Sequence, residues 1–192
     1  MKNKKTLIMN AAMSLIEKHG ISKLTVSDIA IEAKIGKGTV YEYFTSKDEI
    51  FIEALKYGAL ICVNELNTRT FKDNPNHKQA IYNFIECSKD IIESKTFITM
   101  SSDSKLFAFD KEYIEKIKTS LKEMFLETIT IVNKINMLGI KENITENPKY
   151  KLTHFTFTNM VFSILFQKRD GHLDKDIDIY KYLYETTLKL YN

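Results

Sequence analysis

The sequence predicts an all-α protein, and three observations predict it. Gly and Pro are scarce, six and two in 192 residues, which leaves long stretches without the punctuation a turn-rich β fold requires. Apolar residues recur at steps of three and four rather than two along most of the chain. Helix start signals, in which a Ser or Thr is followed three residues later by an acid, stand directly before those apolar runs. About nine helices are expected, with 44% apolar and 28% charged residues giving a soluble chain with a sizeable core.

Residues 5–19 put Ile8, Ala11, Ala12, Leu15 and Ile16 on one face, and His19-Gly20 supplies a cation in the last turn followed by a terminating Gly. Thr25-Val26-Ser27-Asp28 opens a second helix to about Ala33, with Val26, Ile29, Ala30 and Ala33 as its buried stripe. Lys34-Ile35-Gly36 is a three-residue break. A third helix of barely two turns follows, turning Val40 and Phe44 inward while Lys37, Thr39, Tyr41 and Tyr43 point elsewhere. Ser46-Lys47-Asp48-Glu49 is a capping box for a fourth helix of about 23 residues.

Asp73-Asn74-Pro75-Asn76 stops that helix, and a fifth runs over about 77–94 with Ile81, Phe84, Ile85, Ser88 and Ile91 inside. Residues 96–109 predict a short, broken helix. From 110 to 136 Ile114, Ile117, Leu121, Met124, Thr128, Ile131 and Ile135 keep a regular beat, read as a core helix of a bundle in preference to a coiled coil. A polar break at 141–148 ends in Pro148. The eighth helix, about 150–168, is apolar around nearly its whole circumference, and the ninth, about 175–191, carries a broad stripe with no obvious partner within the chain.

Several function classes fall away. The chain is too short for a large multi-domain enzyme, and no catalytic set is visible. His19, His77, His154 and His172 sit in no metal or triad spacing, and His154 reads as a satisfied core or interface side chain. Cys62 and Cys87 lack zinc or disulfide spacing and read as free thiols of a reducing cytoplasm. Gly36-Lys37-Gly38 completes no phosphate-loop pattern. The basic start from Lys2 is interrupted by Asn10 and lacks a cleavage site, so it reads as an arm entering a helix. Leu152 to Gln167, the longest uncharged run, is too short and too polar to span a bilayer, and a cytoplasmic location is expected. No cofactor or metal is implied.

The net charge of +3 neither demands nor excludes nucleic acid, but residues 1–50 hold eight Lys against six acids. A basic arm and two short helices joined by a tight turn form the layout of a helix-turn-helix reader. Its probe is the third helix: Gly38 lets a phosphate backbone approach, Lys37 adds charge, and Thr39 offers a hydroxyl and a methyl. Tyr41 and Tyr43 combine an apolar face with a donor, and Lys47 stands ready for a flanking phosphate.

Leu24-Thr25-Val26-Ser27-Asp28-Ile29-Ala30, then Ala33, then Lys37-Gly38-Thr39-Val40-Tyr41-Glu42-Tyr43-Phe44, then Ser46-Lys47-Asp48-Glu49-Ile50-Phe51, resembles the N-terminal domain of TetR/AcrR transcriptional regulators. The likeness covers about residues 5–55; beyond it only length and helical character agree. It implies a DNA-binding domain over 1–48 and an effector-binding and dimerisation domain over 49–192. It also implies a phosphate contact at Thr25, major-groove placement of Lys37, Gly38, Thr39 and Tyr41, and backbone contacts from Tyr43 and Lys47. Phe84, Cys87, Met100, Phe107, Met124 and Phe125 read as plain core; the resemblance implies that some of them also line an apolar effector pocket against helix eight, where a buried Asn159 needs a partner from a neighbouring chain, a water or a ligand. Two positions depart from the family pattern: Lys34 stands where Gly or Asn is usual at the turn, and Gly36 where Ser usually caps the third helix.

The expected function is a ligand-responsive, homodimeric repressor. It would pair through helices eight and nine and leave a palindromic operator when a small apolar or amphipathic effector binds. Control by a protein partner, activation in place of repression, and a helical interaction module without DNA binding are the alternatives.

Overall fold

The computed structural model describes residues 3–102, 111–146, 152–174 and 176–191. Among them nine α-helices and no strand occur: α1 Lys4–His19, α2 Val26–Glu32, α3 Lys37–Tyr41, α4 Lys47–Thr70, α5 His77–Glu93, α6 Lys95–Ser102, α7 Lys111–Lys141, α8 Leu152–Arg169 and α9 Ile179–Tyr191. None of these is long and apolar enough to cross a membrane.

The expected caps operate. Thr25 accepts from the Asp28 amide at 3.1 Å, and Ser46 accepts from the Glu49 amide at 3.1 Å. The second half of that box differs from expectation. Glu49 reaches one residue further back, to the Thr45 amide at 2.6 Å and hydroxyl at 2.7 Å, and these bonds hold its carboxyl below the usual range. Gly20 ends α1 at φ +78°, and Asp73 and Asn74 adopt left-handed backbone before Pro75.

By contacts the chain divides into two units, Met1–Ile61 with Ser94–Glu123, and Cys62–Glu93 with Met124–Asn192, so α4 and α7 each lend residues to both. The first unit encloses Ile8, Ala12, Ile16, Ile29, Val40, Phe44 and Phe51. Polar clamps tie α1 to its neighbours. Ser14 and Lys18 both bind Glu32 of α2, Lys5 binds Glu53 of α4 at 3.2 Å, and the Thr96 hydroxyl of α6 donates to Glu17 at 3.0 Å.

The second unit packs α5, α8, α9 and the C-terminal part of α7 around Ile81, Phe84, Ile85, Ile131, Ile135, Phe157 and Leu183. Helix α7 runs past the expected end at 136 because Asn136 and Gly139 continue its buried face, and Asn143, at φ +56°, closes it. Helix α9 starts later than expected because Asp178 caps it, accepting from the Lys181 amide at 3.0 Å. The stripe of α9 that looked uncovered in the sequence lies on α5 and α8, burying Ile179, Leu183, Thr187 and Tyr191. Its partner was hidden because α5 is almost 100 residues away in sequence. His154 is a satisfied core side chain, its Nδ1 2.7 Å from the Tyr191 hydroxyl.

Candidate DNA-binding surface

The turn between α2 and α3 is closed by two backbone bonds, from the Lys34 amide to Ile31 O and from the Ile35 amide to Ala30 O, each 3.0 Å. This is the Schellman arrangement, which requires left-handed backbone at its central residue. Lys34 supplies it at φ +56°, where glycine would be unstrained, and Ile35 packs inward beside the core. The departure noted in the sequence is therefore accommodated by strain at Lys34 rather than by a different turn. Gly36 follows as N-cap of α3 with no side-chain bond to the helix.

Helix α3 is fixed from below and open above. Val40 and Phe44 are buried, while Lys37, Gly38, Glu42, Tyr41 (51% exposed) and Tyr43 (39%) face outward, and Thr39 is half-buried. A Cβ on Gly38 would meet nothing within 4 Å, so the backbone itself is approachable there. Lys47 is half-buried at the start of α4. Thr25 is exposed, but its hydroxyl is already occupied, accepting from the Asp28 amide and donating to the Asp28 carboxylate at 2.6 Å.

Sequence reasoning missed two contributors. Glu32 locks α2 onto α1 through Ser14 and Lys18, whose ammonium holds the Glu32 carboxyl below its usual range. Such a pair joins helices that no local pattern connects. Ile31 is 74% exposed beside the turn, and the available signal was its place off the Val26, Ile29, Ala30 and Ala33 stripe.

Of the residues read as core and candidate pocket lining, Phe84, Cys87 and Met124 belong to the core of the second unit. Phe84 and Cys87 are fully buried in the second unit, Phe84 against Phe157 with ring centroids 5.7 Å apart. Burial pushes the Cys87 thiol up to about 11. Met124 packs on the same core, and Phe125 meets Phe155 edge-on at 5.1 Å. Asn159 is exposed on the single chain, and its amide donates to Phe155 O at 2.9 Å within α8. Met100 belongs to α6, in the first unit; its side chain, and Phe107, lie outside the described residues.

Comparison with known proteins bears on this surface. Residues 8–54 match the family described as bacterial regulatory proteins, tetR family. Over 145 residues the chain is 30% identical to YuxN, an uncharacterized HTH-type transcriptional regulator of Bacillus subtilis (strain 168), covering 73% of this chain and 48% of that one. The chain thus spans about half the length of the curated relative it matches. A solved transcriptional regulator from Streptomyces coelicolor A3(2) has the same fold, with a TM-score of 0.70 at 15% identity over 98% of both chains. FadR from Bacillus subtilis, solved in complex with stearoyl-CoA, aligns with a TM-score of 0.60 at 19% identity over 96% of each chain.

Proposed function

The chain belongs to the TetR family of bacterial transcriptional regulators, and from that premise we propose that it is a homodimeric, ligand-responsive repressor and not an enzyme. The observation that carries the reading is α3: an anchored underside of Val40 and Phe44, and an open upper side with Lys37, bare backbone at Gly38, and the two tyrosines. Phosphate contacts from Lys37, Lys47 and Thr25, whose hydroxyl would turn its proton from the Asp28 carboxylate to the phosphate, set the register, and Tyr41 with Thr39 reads base edges or thymine methyls.

Pairing through α8 and α9 is supported by Phe155, exposed at 45%, and Tyr182, at 52%, which remain outside the core that α5 covers. Two copies would then present two α3 helices to successive major grooves of a palindrome. A small apolar or amphipathic effector in the second unit would act through α4, which lends residues to both units, and alter the spacing of the readers. FadR of Bacillus subtilis, with its stearoyl-CoA, is an instance of this fold holding such a ligand.

The test is titration of the protein against a fragment from just upstream of its own gene at two salt concentrations. Saturable binding should resist excess unrelated DNA and fall steeply with salt, and Lys47→Ala should lower both affinity and the salt slope, the latter by about one. Binding that ignores salt, or that Tyr41→Ala leaves unchanged, would contradict the reading. Leu60→Gly, at an exposed mid-helix position of α4, should weaken the coupling between effector and operator.

A further inference from the structure

A groove of about 850 Å³ opens in the second unit between the end of α4, α5 and the start of α9. That volume falls in the range of about 300–1,000 Å³ usual for small-molecule sites. None of the residues assigned above to an apolar effector lines it.

Two tyrosines and three carboxylates line it, together with Arg69 and Lys72. Tyr82 and Tyr180 line it with ring centroids 5.8 Å apart, and Tyr184 stands perpendicular to Tyr82 at 6.1 Å. The same tyrosines already attract a cation: the Lys78 ammonium lies 5.7 Å from the Tyr82 centroid and 5.3 Å from that of Tyr184. Three carboxylates, Asp73, Glu86 and Asp178, line the groove against Arg69 and Lys72. Arg69 brings little free charge, being paired with Glu65 at 3.3 Å and Asp90 at 2.6 Å. Burial first, then a bond to Glu86 and the nearby charges of Glu86, Asp90 and Glu93, push the Tyr180 hydroxyl up to about 12.

We propose that this groove binds a small organic cation, an ammonium or guanidinium carried on an apolar body. The positive head takes the place of the Lys78 ammonium over Tyr82, beside Tyr180 and the Glu86 and Asp178 carboxylates, and the apolar part covers the rest of the rings. This ligand class goes beyond the repressor reading and does not depend on it, since the test contains no DNA.

Calorimetric titration of the full chain with benzyltrimethylammonium, and separately with benzoate, decides the matter. The cation should bind saturably at one site per chain, more weakly as salt rises, and benzoate should not. Glu86→Gln, at an exposed position, keeps an acceptor for the Tyr180 hydroxyl and removes the charge; it should weaken binding by about fivefold. Tyr180→Leu should weaken it by a similar factor, with thermal unfolding verifying that the variant is folded. If Tyr180→Leu does not fold, Glu86→Gln decides alone. No saturable binding of the cation, equal affinity for benzoate, or an affinity that Glu86→Gln leaves within about twofold would overturn the proposal.

Discussion

The Nδ1 atom of His154 lies 2.7 Å from the Tyr191 hydroxyl, and both side chains are buried. This bond joins α8 to the last residue of α9 and satisfies two polar atoms that the core would otherwise strand. Tyr191→Phe keeps the ring and removes the partner, so it should cost about 1–3 kcal/mol. Urea unfolding measures it; a loss below about 0.5 kcal/mol would show that the bond contributes nothing beyond ring packing.

His77 and His154 together predict a pH dependence. Burial pushes both imidazoles below their ordinary value, and at His77 the neighbouring Glu142 charge opposes that only in part. The folded state therefore resists protonation while the unfolded chain takes up protons below about pH 6.5. Stability should be full above about pH 7 and fall as pH drops through 6.5 toward the folded values, by up to about 1.4 kcal/mol per unit for each residue. Urea midpoints at about pH 7.5 and 5.5 test this above the main carboxylate range. Equal midpoints would refute it.

Lys34 holds φ +56° at the turn of the reading motif, a conformation that costs a non-glycine residue about 1 kcal/mol. Asn tolerates that region better, so Lys34→Asn should raise the melting temperature. Lys34→Gly should gain less, because glycine also loosens the unfolded chain. A fall in stability with Asn would mean that the Lys34 side chain stabilises the turn by more than its strain costs.

Gly139 has no room for a side chain. A Cβ there would collide with the Thr145 hydroxyl and stand 3.0 Å from the fully buried His77 ring. Gly139→Ala should destabilise by about 1–3 kcal/mol despite the better helix propensity of alanine. Unchanged denaturant unfolding would show that the chain after α7 shifts freely.

Gly38 should behave in the opposite way. Its surroundings are empty, so Gly38→Ala should stabilise by up to about 1 kcal/mol through helix propensity alone. The added methyl would stand where DNA must approach the backbone, so affinity for the operator should drop. Parallel melting and DNA titration check both halves; a variant that is more stable and equally tight would remove Gly38 from the contact surface.

Local signals carried most of what was legible in the sequence. Thr25 and Ser46 announced their helices because a cap needs only the next three residues, and Lys34 stood out because left-handed backbone is a property of a single residue. Relationships between distant segments were not legible. Nothing near Glu32 indicates that Ser14 and Lys18 will meet it, and nothing in α9 indicates that α5 will cover its stripe. The exposure of Asn159 was not legible for a related reason: its neighbours in sequence are apolar, whereas on the single chain its place on α8 is exposed. The expected division at residue 48 follows the motif, while contacts also draw Ser94–Glu123 into the first unit.

That last grouping bears on how this reader could be borrowed. Because Thr96 of α6 bonds Glu17 of α1, and Ile117 of α7 packs on the core that holds Phe44, the first unit is built from two separate stretches of chain. A graft that moved residues 1–48 alone onto a foreign sensor would leave part of the unit behind. A chimera that also transplanted residues 94–123 would keep the scaffold on which α3 is aimed. Exchanging everything downstream of the reading helix would therefore remove part of the scaffold that the helix stands on.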